Sequence, residues 1–221
     1  MTAARRAAVQ ATLVTGLLGV AAWPDAVAAQ GKKRDVDRYD HIFRKYSKRY
    51  FGVGYDWRIF KAQAMAESDM NPNARSWVGA RGLMQLMPST YAAIQSKAGF
   101  GAIDDPEFNI AAGILHSRGL WRRWERDSIH TDRREFMFAS YNAGEGTILN
   151  AQRACLARSL DKRTWSNVEI VAPEVPRWRY RETLGYVRKI RTRIGQLDEK
   201  GRVRRTATAA AVPRTAPRAL P

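Results

Sequence analysis

Between residues 38 and 195, apolar side chains return at helical intervals, interrupted by short runs rich in glycine, proline, asparagine and aspartate. The first such segment, 38–51, sets Tyr39, Ile42, Phe43, Tyr46 and Tyr50 about one turn apart among lysines and arginines, which predicts an amphipathic helix. Gly52-Val53-Gly54 ends it. A second helix follows from Asp56, a residue suited to N-capping, and stops ahead of Asn71-Pro72, because a residue before proline is driven out of the α region. On this helix Ile59, Ala62, Gln63, Ala66 and Glu67 share the least polar face, so a carboxyl group stands at the border of an apolar stripe. Further periodic segments are 89–97 with Tyr91 and Ile94 inward, 108–124 through Ile110 and Ile114, 132–142 with Phe136, Phe138 and Ala139, a stretch carrying Ile148, Leu149 and Cys155, and 180–194 through Leu184, Val187 and Ile190. Residues 159–176 are less regular, and Trp165 and Trp178 bracket them either as covers of a groove or as core anchors.

Glu67 is placed where ionisation is disfavoured. A helix C-terminus repels negative charge and burial penalises it further, so both effects favour the protonated acid. The competing reading is a helix-terminal glutamate paired with Arg75 or Arg81. Downstream, Gly79-Ala80-Arg81-Gly82 supplies a tight turn that brings backbone close to whatever lies above it, and Gln85 is interleaved with Leu83, Met84, Leu86 and Met87, where its amide needs a partner.

Four blocks occur in order: Glu67-Ser68 with Asn71-Pro72; GARGLMQLMP at 79–88; Ala139-Ser140-Tyr141-Asn142-Ala143-Gly144; and Glu182-Thr183-Leu184-Gly185-Tyr186-Val187. Together they resemble the catalytic domain of the soluble-type lytic transglycosylases. The resemblance implies an all-α, lysozyme-like fold and cleavage of the bond between N-acetylmuramic acid and N-acetylglucosamine in peptidoglycan. It also implies 1,6-anhydromuramoyl ends, formed without net addition of water. By the same resemblance Glu67 acts first as acid and then as base, helped by the substrate's N-acetyl oxygen. Gln85, Tyr141 and Asn142 form its support set, with the Tyr141 phenol expected beside the carboxyl, and Ser68 and Met84 belong to the same blocks. Asn109, in DPEFNIAAG, matches a position that supports the groove, and Glu182 matches the far side of the cleft. Arg81 departs from the pattern, standing where relatives often carry a small residue. It could bind a peptide carboxylate or restrain Glu67, and a close pair with Glu67 would weaken the acid. Asp69, Asp104 and Asp105 are second carboxylates by charge alone; Asp69 lies only two residues from Glu67 and so falls on another helix face.

Composition narrows the setting. Arg5 and Arg6 precede an Ala-, Val- and Leu-rich run and then AVAAQ at 26–30, the order of a secretory leader. The predicted organisation is therefore a leader at 1–29, a short linker at 30–37, the catalytic domain at 38–197 and a flexible basic tail at 198–221. Trp23, Pro24 and Asp25 interrupt the apolar run before the ~20 residues that span a bilayer, so no transmembrane anchor is expected in the mature protein. The exported protein would work in the periplasm or cell envelope. The formal charge of +17 commonly points to nucleic acid, but an exported basic protein first meets anionic cell-wall polymers and carboxylate-bearing stem peptides. Expected partners are peptidoglycan glycan strands and, through the basic tail, anionic envelope polymers, with no specific nucleic acid. Cys155 is the only cysteine, so no intramolecular disulfide forms. His41, His116 and His130 lack companions at metal-ligand spacing, and neither metal nor cofactor is expected.

Overall fold

The computed structural model describes residues 35–204; the leader read at 1–29, most of the linker and the end of the chain from 205 lie outside them. The described residues form α1 (Asp40–Phe51), α2 (Arg58–Ser68), α3 (Pro88–Ala98), α4 (Pro106–Arg126), α5 (Arg133–Ala143), α6 (Glu145–Ala157), α7 (Trp165–Val171), a 3-10 turn at Ala172–Glu174 and α8 (Tyr180–Gln196), with isolated bridges but no strand among them. This is the all-α architecture that the periodicities predict.

Local chemistry starts the helices close to where the sequence suggests, α2 at Arg58, two residues after Asp56, and α4 at Pro106, two residues before Phe108. The Asp56 carboxylate accepts the Arg58 backbone N–H at 3.1 Å and clasps the Arg58 guanidinium. Asp105 accepts the N–H groups of Glu107 and Phe108 ahead of Pro106, whose missing donor costs nothing in a first turn. The end of α2 falls ahead of Asn71-Pro72 as expected, but its backbone cause lies before the proline pair. Asp69 and Met70 take consecutive left-handed conformations, with φ of 51° and 59°. Such strain persists only when the surroundings hold it, and Met70 is fully buried.

Helix α5 lies at the centre, packed against α4, α6 and α8, while α2 packs along α8 and α1 lies against α4. Phe43, Phe60, Leu83, Ile110, Phe136, Phe138 and Trp124 form the fully buried centre. Trp165 and Trp178 are both buried, which decides for the core-anchor reading: Trp165 meets Phe136 edge-on at 5.5 Å. Helix α7, inside the stretch that looked irregular, buries Trp165, Val168 and Val171. A helix this short is not stable by itself; its first N–H is held by the carboxylate of Asp132 at 2.7 Å, across 33 residues of sequence.

Two predicted boundaries move. The fully buried ammonium of Lys61 lies 2.5 Å from Asp37, 2.7 Å from Asp40 and 2.7 Å from the carbonyl of Gly201. Asp37, read as linker, and residues 198–204, read as tail, are therefore part of the folded body. A buried ammonium must be satisfied on several sides, and both ends of the domain supply the acceptors. Leu197 bridges Val203, and Arg204 donates to the carbonyl of Gln196, closing a turn over the end of α8.

Candidate active site

The C-terminal end of α2 delivers Glu67, partly buried, to the flank of α8. Gln63, one turn earlier, donates from Nε2 to the Tyr186 hydroxyl at 3.1 Å, and Tyr186 donates to Glu67 Oε1 at 2.6 Å. Lys189, one turn further along α8, caps the end of α2 through the Ala66 carbonyl at 2.6 Å. Burial pushes the Glu67 pKa up to about 7, against the opposing pull of the Tyr186 hydrogen bond and the Lys189 charge. Desolvation therefore wins, and the carboxyl is half-protonated near neutrality. Among the described residues no group bonds Oε2, so the oxygen opposite Tyr186 is the one free to carry the proton.

Tyr141 and Tyr186 are both held far above the usual phenol range, by burial first and by the negative charge of Glu67 next. Both remain neutral donors. Tyr141 nevertheless does not bond Glu67, as the resemblance had led us to expect. Its hydroxyl donates to the Met84 carbonyl at 2.8 Å, and its ring lies 5.1 Å from that of His116, an imidazole whose pKa burial lowers. The hydrogen bond to the acid comes from Tyr186 instead. The hexapeptide 182–187 contains this tyrosine, but nothing in its spacing distinguishes it from Tyr141 as the donor.

The segment 79–88 folds over the end of α2. Ser68 Oγ reaches the Leu83 carbonyl at 2.9 Å and the Ala64 carbonyl at 3.1 Å, pinning segment to helix. Asn109, fully buried, accepts the Met84 N–H at 2.8 Å and donates to the carbonyls of Arg81 and Ile103, each at 3.0 Å. It organises the loop from below and does not face a ligand. Gly82 has φ of 79° and lies so close to Asn109 that a Cβ there would fall 2.4 Å from its amide. Gly113 leaves room in the same way for the Met84 side chain, which is fully buried, so Met84 acts through its backbone and not through its thioether. Gln85 sits at φ of 44°, its amide bonded to the carbonyls of Gly82 and Ala74; the partner it needs is the turn itself.

Arg81 does not touch Glu67. Its Nε donates to Asp104 Oδ1 at 3.0 Å, with a second contact from Nη2 to Oδ2, and Arg75 adds its own charge to the same carboxylate. The arginine pairing considered for Glu67 is thus overturned, and with it the concern that Arg81 weakens the acid. Asp104 is committed to this pair and Asp105 to the cap of α4. Asn142 accepts from Thr183 Oγ1 at 2.8 Å, joining α5 to α8, whereas Glu182 pairs with Arg179 at 3.0 Å.

The transglycosylase SLT domain model matches residues 42–163, more than half of the chain. The chain belongs to the transglycosylase SLT domain family. Among curated SLT-type relatives, the membrane-bound lytic murein transglycosylase F of Vibrio cholerae is 31% identical over 157 residues, covering 69% of this chain and 28% of that protein. Its counterpart in Shewanella woodyi is 33% identical over 149 residues, 66% of this chain and 30% of the relative. The chain thus spans less than a third of their length. The SLT fold is also seen in the solved structure of soluble lytic transglycosylase SLT70 from Escherichia coli, at 29% identity and a TM-score of 0.52, covering 71% of this chain and 23% of that one. An inactive variant of the lytic transglycosylase Slt from Pseudomonas aeruginosa shares the fold, with 24% identity, a TM-score of 0.55 and coverage of 72% and 23%.

Proposed function

We propose that this SLT domain is a peptidoglycan lytic transglycosylase. It cleaves the β-1,4 bond between N-acetylmuramic acid and N-acetylglucosamine and leaves 1,6-anhydromuramoyl ends, with Glu67 as the single acid and base. The observation that carries this reading is the Glu67 carboxyl itself: pKa about 7, Oε1 held by Tyr186 and Oε2 left to carry the proton. An acid poised near the working pH both donates and recovers a proton efficiently.

In the first half-reaction Glu67 donates to the departing glycosidic oxygen while the substrate's own N-acetyl oxygen assists at the anomeric carbon. In the second, the carboxylate takes the proton of the muramoyl C6 hydroxyl as that oxygen attacks the same carbon. No water is added, and no second carboxylate is needed. This fits a site in which Asp104 and Asp105 are engaged elsewhere. Tyr186 holds the orientation of the carboxyl through both steps. The loop 79–88, with Ser68, Asn109, Gln85 and the backbone of Met84, positions the wall above it, and Asn142 supports from α5. The names of the curated relatives agree with this activity. The leader read at 1–29 supports a place in the cell envelope, where no helix of the described residues is long and apolar enough to cross a membrane. The charge of +17 supports retention on anionic wall polymers.

Mass spectrometry of fragments released from purified peptidoglycan tests the reading. Anhydromuramoyl ends are expected. Reducing ends carrying oxygen from labelled water would show a lysozyme-like hydrolase, and saturable binding without either product would show a structural wall-binding protein.

A further inference from the structure

The outer face of α4 carries a row of arginines that nothing in the fold neutralises. Arg118, Arg122 and Arg126 recur at i, i+4 and i+8, so they share one face and step along it by about 6 Å. Among the described residues none of the three has an ion pair or a hydrogen bond, and neither has Arg134, exposed in the first turn of α5. The acids at this end of α4 are committed: Glu125 to Arg133 and Asp127 to Arg123. Like charges one turn apart destabilise a helix, so the row weakens α4 unless an anion comes to it.

One end of the row is built into the core. The Arg118 guanidinium lies over Phe51 at 5.2 Å; Phe51 packs on Tyr55 at 4.3 Å and on Trp121 at 5.9 Å, and Arg133 lies over the Trp121 ring at 4.7 Å. Arg118 Nε and the Tyr55 hydroxyl are both buried, with no hydrogen-bond partner among the described residues. Both can donate, and a buried donor without an acceptor carries its desolvation cost unreturned. Burial and the Asp56 charge raise the Tyr55 pKa, while Arg134, Arg118 and Arg133 oppose them, so three guanidinium charges act on one neutral phenol. The face lies away from Glu67: His116, whose ring meets that of Tyr141, is two residues from Arg118 and therefore about 200° around α4.

We propose that this face of α4 binds a phosphate-bearing polymer of the cell envelope, with one phosphate group at Arg118 and Tyr55 and others along Arg122, Arg126 and Arg134. It rests on the envelope setting read above and not on the bond that is cleaved. Phosphate oxygens accept from several guanidinium donors and from a phenol at once, and successive charges along a polymer suit successive arginines along a helix. A bilayer is the poorer occupant. None of the exposed large apolar residues among the described ones lies on α4 or α5, so the face has nothing to insert between lipids.

The test is calorimetric binding of inorganic polyphosphate to the full chain, without glycan, so that its outcome is independent of any cleavage product. Arg118→Gln/Arg122→Gln/Arg126→Gln should weaken binding about tenfold and reduce its salt dependence. Arg188→Gln/Arg191→Gln/Arg193→Gln removes the same charge from α8 and should change the affinity by less than about twofold, because the long-range field of a charged surface is screened. Equal loss in the two variants shows a response to net charge alone and overturns the site. Tighter binding of polyglutamate, of phosphatidylglycerol vesicles or of single-stranded DNA at equal charge also overturns it, assigning the face to a carboxylate polymer, a lipid surface or nucleic acid. Without polymer, Arg122→Gln/Arg126→Gln should melt no lower than the parent, since it loses only like-charge repulsion. A lower melting temperature would show that these arginines serve the fold and would refute the assignment.

Discussion

Glu67 is kept protonated by where it stands. Its folded pKa of about 7 lies above the ordinary 4.5, so ionising it opposes folding. The sign follows from linkage: the penalty is absent below about pH 4.5, grows as the pH rises and is complete above pH 7. A shift of this size corresponds to at most about 3 kcal/mol. Glu67→Gln should therefore abolish cleavage, by a factor on the order of 10² to 10⁴, and yet melt at a higher temperature than the parent at pH 8. Calorimetry at pH 4 and pH 8 checks this; a stability gap that fails to shrink in acid would contradict the buried-acid account. Activity should also decline as pH rises through 7, because only the protonated form donates. Tyr186 tunes that limb. Its hydrogen bond lowers the Glu67 pKa, so Tyr186→Phe should move the alkaline limb of the pH–rate profile upward, at a folding cost of about 1 kcal/mol. Tyr141→Phe should leave the limb near its original place, since that hydroxyl serves the Met84 carbonyl.

Among the elements, the loop 79–88 depends on one buried side chain more than on its own sequence. Asn109 satisfies a backbone N–H and two carbonyls that would otherwise be orphaned between the loop and α4. Asn109→Ala should cost roughly 2–4 kcal/mol in denaturant titrations, since each buried group left unsatisfied carries its own desolvation penalty. The same substitution should lower kcat without removing Glu67, because the wall above the acid loosens. Gly82→Ala should fail on two counts, a disfavoured φ and a collision with Asn109. Gln85, although not glycine, tolerates its left-handed backbone because its amide repays the strain with hydrogen bonds to Gly82 and Ala74.

At the scale of the whole molecule, Lys61 ties the entry of the domain to its exit. Asp37 and Asp40 precede or open α1, and Gly201 follows α8, yet all three meet one buried ammonium on α2. Lys61→Met should destabilise the fold by about 2–4 kcal/mol, leaving the two aspartates close together without their cation. Truncation reads out the same clamp from the other side. Ending the chain after Lys200 removes the Gly201 carbonyl and should lower the melting temperature, whereas ending it after Arg204 should leave the melting temperature unchanged. Equal stability of the two truncations would show that the clamp contributes nothing.

Apolar spacing is a local property, so the sequence by itself determined every helix but α7, the apolar face that carries Glu67 and the order of the four blocks that mark the family. It also placed Gln63 on the same face as Glu67, and it marked Gln85 and Asn109 as residues needing explanation. Periodicity states which way a side chain faces, but not what meets it there. The donor to Glu67 comes from 119 residues away, and the resemblance points to Tyr141 instead; only the crossing of α2 and α8 selects Tyr186. Arg81 could not be assigned to Asp104 rather than to Glu67 until the loop was folded back on α4. The burial of Trp165 and Trp178, the capping of α7 by Asp132 and the drawing of residues 198–204 into the domain were decided in the same way. Hydrogen bonds and ion pairs form over about 3 Å, and which groups come that close is set by how the helices pack, not by the spacing along any one of them.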